Sequence, residues 1–224
     1  MATEIVRTLV EDDKSLLLRR VGSHLELVLG NVVLLSSAAL ETELAFGRMA
    51  REPLERARIA GGAAPRVLVG GLGFGATLRG VLEVAAAETE VVVVEKLRAV
   101  VDVARSEAAP LVAGALDDPR VELCRADVAD VIADAAPASL AAILLDVDNG
   151  PEWASFRTNA RLYAEAALVR ARIALAPGGV FAVWSGYPAD PFVRTLRKAG
   201  FVPRVAPLHE RGVVRARAYV GVVP

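Results

Sequence analysis

The chain has 224 residues, of which 54% are hydrophobic, and it carries 26 Lys and Arg residues against 27 Asp and Glu residues. This length predicts one α/β domain with at most a small appendage, and a net charge of −1 disfavours a nucleic-acid partner. The mean hydropathy of +0.42 is high, yet no apolar run approaches the roughly 20 residues of a membrane-spanning helix. A single cysteine excludes an internal disulfide framework. We therefore expect a cytoplasmic protein without a membrane partner.

The N-terminal part of the chain has the pattern of a small β-rich region. The turn pair Gly30-Asn31 separates two apolar runs, which favours a β-hairpin. The β-prone runs of this region are residues 15–20, 25–29 and 32–35. We expect these runs to form a small β-hairpin region.

A helix and a boundary follow this region. Residues 41–58 have a helical pattern, and Pro53 is expected to end or kink the helix. The stretch 60–65 contains two glycines and a proline and marks a break. We divide the chain into an N-terminal region of β-hairpin and helix, residues 1–60, and a nucleoside-binding catalytic domain, residues 61–224.

Strands and helices alternate along the second domain. Predicted strands are residues 66–70, 90–95, 121–124, 141–146, 180–185, 202–206 and 213–222, and predicted helices are residues 76–87, 98–109, 128–135, 158–175 and 191–199. Strands that are apolar at nearly every position are typical of parallel sheets covered on both faces. The last two strands have the pattern of an antiparallel pair. The sequence therefore predicts an α/β fold with a doubly wound, mostly parallel seven-stranded sheet.

A glycine-rich loop lies between the first strand and the first helix of this domain. It has the pattern Gly71-x-Gly73-x-Gly75, with Phe74 between the last two glycines. Glycines here let a ligand approach the strand end and the free N–H groups of the helix. Glu95 ends the next strand about 20 residues later, where a carboxylate accepts hydrogen bonds from both ribose hydroxyls. The pattern predicts a nucleoside site, and a purely structural turn is the alternative.

The spacing of the loop bears on which nucleoside binds. A dinucleotide site prefers G-x-G-x-x-G, whereas the third glycine comes one residue earlier here and Ala76 follows it. Asp127 lies just past the third strand, where its carboxylate could accept a hydrogen bond from an adenine amino group. The glycine loop, the ribose acid and this second acid at successive strand ends favour an S-adenosylmethionine-type site over an NAD site. Lys96 and Val128 are further candidate binding residues. The alternative role for Asp127 is an N-cap of the following helix.

The fourth strand of the domain ends in two aspartates, Asp146 and Asp148. Ligands of open parallel sheets bind at the carboxyl ends of the strands. A carboxylate near a sulfonium can orient an attacking amine and accept its proton, so both aspartates are candidate catalytic residues. In the alternative interpretation, Asp146 is a cap and Asp148-Asn149-Gly150 is a turn.

Residues 67 to about 185 resemble the spermidine synthase (polyamine aminopropyltransferase) family, which has the class I S-adenosylmethionine-dependent methyltransferase fold. The family's loop reads G-G-G-D-G-G-x-x-R-E and corresponds to residues 71–80. The resemblance implies that Glu95 binds the ribose and that Asp127 lies beside the adenine. It also implies that Asp146 is the catalytic aspartate of the family's D-S-x-D motif, and that the protein forms a homodimer.

The chain departs from the family pattern on the side of the donor tail and acceptor. The family's loop aspartate is Phe74 here, and its glutamate after the arginine is Gly80. Asp148 follows Asp146 by two residues, whereas the family's second aspartate follows by three. The family's tyrosine of the amine pocket is missing, with Glu41 near its place. The nucleoside half of the site is kept and the other half is altered.

These observations predict a transferase that moves an alkyl group, aminopropyl or methyl, from a sulfonium donor to a small acceptor. We expect the acceptor to be an amine. The donor is S-adenosylmethionine or its decarboxylated form, and Asp146 would deprotonate the acceptor. We expect no metal, because His24 and His209 lie outside any metal-ligand spacing. The alternatives are a small-molecule methyltransferase, a non-catalytic adenosine-binding homologue and an NAD-dependent oxidoreductase, which the glycine spacing disfavours.

Overall fold

The computed structural model describes residues 2–147, 150–151 and 157–224, and the side chains of residues 157 and 158 are not considered. The N-terminal region forms a four-stranded antiparallel sheet in the order β1-β2-β3-β4. Its strands are β1 (Thr3–Glu11), β2 (Lys14–Val21), β3 (His24–Leu29) and β4 (Val32–Ser36). The sequence analysis predicted three of these strands and missed β1.

Strand β1 escapes prediction because it has almost no buried side chain of its own. Leu9 is buried, whereas Ile5 and Val10 are exposed, so no alternation of apolar and polar residues marks a half-buried strand. Pairing with β2 along most of its length holds β1 in place. Its conformation depends on a partner strand and not on its own pattern.

The predicted helix of residues 41–58 is two helices separated by a 3₁₀ turn at Arg48–Ala50. They are α1 (Leu40–Gly47) and α2 (Arg51–Ala60). The interruption expected from Pro53 is present, but it lies three to five residues before the proline. Pro53 lies in the first turn of α2, where its missing N–H removes no intrahelical hydrogen bond.

The second sheet has seven strands in the order β10-β11-β9-β8-β5-β6-β7. They are β5 (Arg66–Gly70), β6 (Glu90–Val94), β7 (Val121–Cys124), β8 (Leu140–Leu145), β9 (Leu175–Ser185), β10 (Val202–Glu210) and β11 (Val213–Val222). The strands from β5 to β9 pair in parallel, and β11 is antiparallel to both of its neighbours. This confirms the predicted α/β class I methyltransferase-like fold.

Helices cover both faces of this sheet. They are α3 (Ala76–Leu82), α4 (Arg98–Arg105), α5 (Ala109–Val112), α6 (Val128–Asp134), α7 (Glu165–Ala174) and α8 (Asp190–Lys198). Along β5, Val67 and Val69 pack into one apolar cluster and Leu68 into the other. Each strand thus buries side chains on both faces of the sheet. Burial of one large aliphatic side chain stabilises the folded state by about 1.5–3 kcal/mol.

The connections place one crevice at the carboxyl ends of β5 and β8. From β5 the chain continues outward through β6 and β7, then returns to β8 on the opposite side. Ligands bind at this kind of switch point in open α/β sheets.

The division into residues 1–60 and 61–224 stays a prediction. In the described ranges, no helix has the length and apolar composition that a membrane crossing requires.

Helices α1 and α3 pack closely because glycines face each other between them. A Cβ on Gly80 would lie 2.2 Å from the backbone oxygen of Leu44, and one on Gly47 would lie 2.1 Å from that of Thr77. This contact gives a physical reason for glycine at position 80, where the family has glutamate. It also brings the acidic α1 to the edge of the crevice.

The variant Gly80→Ala is expected to lower the free energy of unfolding by about 1–3 kcal/mol, the usual cost of overpacking. Alanine is otherwise a better helix former than glycine, so without the close contact the substitution would raise the free energy of unfolding. A decrease therefore indicates the contact between the helices. Urea unfolding measures the effect, and Gly47→Ala should lower stability in the same direction. A Gly80→Ala protein as stable as the wild type would contradict the close contact.

Candidate active site

A cavity of about 260 Å³ lies at the carboxyl ends of β5, β6, β7 and β8. Most of the predicted site residues line it, namely Gly71, Gly73, Glu95, Lys96, Asp127, Val128 and Asp146. Gly71 must be glycine, because its φ is +91° and a Cβ would lie 2.2 Å from the backbone oxygen of Asp146. The loop after β5 and the loop after β8 therefore touch through their backbones at the cavity floor.

Glu95 presents a fixed carboxylate to the cavity. Only 8% of the residue is exposed. Its Oε2 accepts a hydrogen bond from the Leu72 N–H at 3.0 Å, and its Oε1 accepts one from the Leu97 N–H at 2.8 Å. Burial raises the pKa of Glu95, although these N–H donors oppose the rise. Each oxygen keeps acceptor capacity for a further hydroxyl donor, as the two hydroxyls of a ribose require.

Asp127 has the N-cap role considered for it and also lies at the cavity, while its contact with an adenine stays a prediction. It is the N-cap of α6, because its Oδ1 accepts the Ala129 N–H at 3.0 Å, and it also lines the cavity. Its Oδ2 contacts Lys96 Nζ at 3.1 Å and Arg161 Nη2 at 2.7 Å. Burial works to raise the pKa of Asp127, but the bonds from Lys96, Ala129 and Arg161 hold it below its usual value. Asp127 is therefore an ionised acceptor at neutral pH.

Asp146 follows β8, and its N–H donates to the Gly70 carbonyl at 2.8 Å. The Thr77 hydroxyl donates to its Oδ2 at 2.6 Å. Burial raises the pKa of Asp146 to about 6, against the lowering effect of that hydrogen bond. A carboxylate with a pKa close to neutral is suited to take a proton from an attacking group. The second predicted catalytic residue, Asp148, lies outside the described residues.

The remaining predicted loop residues lie behind the cavity wall. Phe74 is 2% exposed and packs into the apolar core. Gly75 is the N-cap of α3, and a Cβ on it would meet Val112 at 3.2 Å. Direct contact of Phe74 and Gly75 with a donor stays a prediction.

The sequence analysis missed the residues that roof the cavity. They come from the N-terminal sheet and are Asp12, Lys14, Leu34 and Leu35. Glu11 fixes this roof, because its Oε2 accepts the Ala99 N–H at 2.7 Å in the first turn of α4. No local pattern predicts these residues, since they reach the cavity through the packing of one sheet over another. Asn159 also lines the cavity.

A second group of carboxylates lies on the α1 side of Asp146. Burial, and then the charges of Asp146 and Glu210, raise the pKa of Glu43 well above its usual value. Glu210 Oε2 accepts the Glu41 N–H at 3.0 Å, which holds the end of β10 against α1. This side of the site is acidic and favours a cationic ligand.

Across the described ranges, His, Cys, Asp and Glu side chains nowhere form a metal-binding group of three or more.

The chain matches no protein-family model. It is similar to the polyamine aminopropyltransferases of two strains of Mycobacterium tuberculosis and of Mycobacterium bovis, with 34% identity over 151 residues. The match covers 64% of this chain and 28% of each relative, so it spans less than a third of the relatives' length.

Solved structures support the same comparison. A spermidine synthase in complex with the transition-state analogue AdoDATO has a TM-score of 0.73 and 18% identity, over 99% of this chain and 73% of that one. This chain has the fold of that spermidine synthase.

Two further structures agree with that description. The spermidine synthase of Thermotoga maritima has a TM-score of 0.73 at 18% identity, over 98% of this chain and 72% of that one. A probable spermidine synthase of Corynebacterium glutamicum has a TM-score of 0.63 at 17% identity, over 97% of this chain and 80% of that one. The chain thus shares this fold across almost its whole length at low identity.

Proposed function

We propose that the chain is a transferase that moves an aminopropyl group from decarboxylated S-adenosylmethionine to a small amine. The observation that carries the proposal is the convergence of Glu95, Asp127 and Asp146 on one cavity at three strand ends. The similarity to enzymes named polyamine aminopropyltransferase favours aminopropyl over methyl as the transferred group.

In the proposed reaction, the chain acts mainly by holding its two substrates in line. Glu95 binds the ribose hydroxyls of the donor, Asp127 accepts from the adenine amino group, and Gly71 and Gly73 leave room for the tail. The amine nitrogen forms a bond to the carbon beside the sulfonium, and the carbon–sulfur bond breaks with its electron pair passing to sulfur. Asp146 takes the proton that the new ammonium loses. Alignment of the reacting atoms supplies much of the acceleration.

Product analysis tests this function directly. The protein is incubated with decarboxylated S-adenosylmethionine and putrescine, and mass spectrometry follows an aminopropylated amine together with 5′-methylthioadenosine. S-adenosylmethionine replaces the donor in a parallel reaction. Transfer of the aminopropyl group supports the proposal, whereas methylation of the amine or absence of turnover contradicts it.

Methyl transfer is the second candidate, and a specific observation favours it. Phe74 replaces the family's loop aspartate and is buried in the core, while Leu34 and Leu35 give the cavity roof an apolar surface. A charged aminopropyl end has fewer partners there. Calorimetry separates the candidates, since tighter binding of 5′-methylthioadenosine than of S-adenosylhomocysteine indicates aminopropyl transfer. A protein that binds either compound without turnover would be a non-catalytic adenosine-binding homologue.

A cytoplasmic location and a homodimer belong to the same proposal. Ile5 and Val10 are 63% and 73% exposed on β1, the edge strand of the N-terminal sheet. An edge strand with exposed apolar side chains is suited to pairing with another chain. Sedimentation velocity tests the dimer, and a monomer at micromolar concentration contradicts it.

A further inference from the structure

Thr77 is a buried residue whose hydroxyl lies beside the proposed base. It is in the first turn of α3 and is 2% exposed. Its Oγ1 lies 2.6 Å from Asp146 Oδ2 and 3.3 Å from the backbone oxygen of Glu43. A hydroxyl has one proton to donate, and the shorter distance is typical of a charge-assisted bond to a carboxylate. The proton therefore belongs to the bond with Asp146.

The surrounding backbone fixes the position of this hydroxyl. Helix α1 packs directly on Thr77, because a Cβ on Gly47 would lie 2.1 Å from the Thr77 carbonyl oxygen. Gly75, with a φ of +81°, is the N-cap of α3 and lies two residues before Thr77. A β-branched side chain in a helix also has few rotamers. Thr77 thus has little freedom to move away from Asp146.

We propose that Thr77 is the positioning residue of the reaction: its hydroxyl holds Asp146 Oδ2 and directs Oδ1 to the acceptor amine. This role rests on the proposed function, in which Asp146 Oδ1 receives the proton that the ammonium product loses. Within the part of the chain that the structure describes, Thr77 supplies the side-chain hydrogen bond to this carboxylate. Without it, the carboxylate of Asp146 loses the hydrogen bond that orients it and that favours its ionised form.

The charges around Asp146 make the hydrogen bond important for the ionised state. Glu43 on α1 faces Asp146, and Glu210 at the end of β10 faces Glu43. The charge of Asp146 is one of the causes that raise the pKa of Glu43, so these two carboxyls do not readily ionise together. The other charged groups of the cavity wall are Asp12, Lys14, Glu95, Lys96 and Asp127. Thr77 lowers the pKa of Asp146 against burial, and its removal should raise that pKa.

The test compares Thr77→Val, which removes the donor, with Thr77→Ser, which keeps it. In Thr77→Val, we expect the acid limb of the pH–rate profile to move to higher pH. At the former midpoint, kcat should fall about fivefold, which is the loss of ionised base that a pKa rise of about one unit produces. The KM of the donor should not change. Thr77→Ser should keep the pH–rate profile of the wild type. Thr89→Val is the matched control, because Thr89 is also 2% exposed and lies before β6, away from the cavity wall.

A second readout does not depend on turnover. Titration of the Asp146 carboxyl carbon by ¹³C NMR, assigned through its loss in Asp146→Asn, should show a higher pKa in Thr77→Val than in the wild type. An unchanged titration overturns the positioning role, even where turnover falls. If Thr77→Val does not fold, Thr77→Ala provides the same measurement. A shifted titration in a protein that transfers no group supports the contact between Thr77 and Asp146 and contradicts the proposed function instead.

Discussion

Asp146→Asn is expected to lower turnover by about 10²–10⁴-fold, the range that general acid–base catalysis contributes, while binding of the donor survives. Asparagine is nearly isosteric and can still accept the Thr77 hydrogen bond, but it cannot take a proton from the amine. Rates with decarboxylated S-adenosylmethionine measure the loss. Calorimetry with 5′-methylthioadenosine checks that the nucleoside half of the site is intact. Turnover equal to that of the wild type would remove Asp146 as the base.

The same variant should be more stable than the wild type at neutral pH. The pKa of Asp146 is about 6 in the folded protein, above the usual value of about 3.9 in an unfolded chain. A raised carboxyl pKa means that the unfolded state loses its proton first, so stability falls as the pH rises from about 4 through 6. Asparagine carries no charge to bury. Urea unfolding at pH 5 and pH 7.5 should therefore show a larger gain at the higher pH.

That combination separates a catalytic group from a structural one. A residue retained for stability loses stability when it is replaced, whereas Asp146 is expected to lose activity and gain stability. Active-site residues commonly lower the stability of the folded protein in this way. Glu90→Gln is a suitable control, because Glu90 is an exposed carboxylate of the same domain at the start of β6. It should change neither turnover nor the pH dependence of stability.

The parts of the site that the sequence predicts are those encoded by neighbouring residues. An apolar strand that ends in an acid, as β6 ends before Glu95, identifies both the element and the edge of the sheet where the acid lies. In a parallel sheet these ends share one side. The relation between Glu95, Asp127 and Asp146 could therefore be predicted without knowing any distance between them.

The parts that the sequence does not predict depend on packing between distant elements. Thr77 has the pattern of an ordinary helix residue, and its partner Asp146 is 69 positions away. Glu43 lies on a helix whose approach to the cavity depends on the contact between Gly47 and Gly80. The roof formed by the N-terminal sheet likewise has no local pattern. Such contacts appear only when the elements are placed together.

Glu95→Gln is expected to weaken binding of 5′-methylthioadenosine by about 10- to 100-fold, since hydrogen bonds to a charged group contribute about 1.5–3 kcal/mol. Leu72 and Leu97 each direct an N–H at one oxygen of Glu95. A glutamine must turn its NH₂ group toward one of these donors, which leaves that N–H unsatisfied and the loop displaced. It also offers the ribose one acceptor oxygen instead of two. Isothermal calorimetry of the protein with 5′-methylthioadenosine measures the loss.

Glu90→Gln again provides the matched control, because it makes the same chemical change in the strand that leads to Glu95. Glu90 is exposed and pairs with Arg66 at 3.6 Å, and exposed pairs of this kind contribute little to stability. Binding should therefore fall for Glu95→Gln and stay constant for Glu90→Gln. If both variants bind like the wild type, Glu95 does not hold the ribose and the nucleoside assignment of this cavity is wrong. If binding falls only at position 95, the buried acid after β6 takes part in holding the nucleoside.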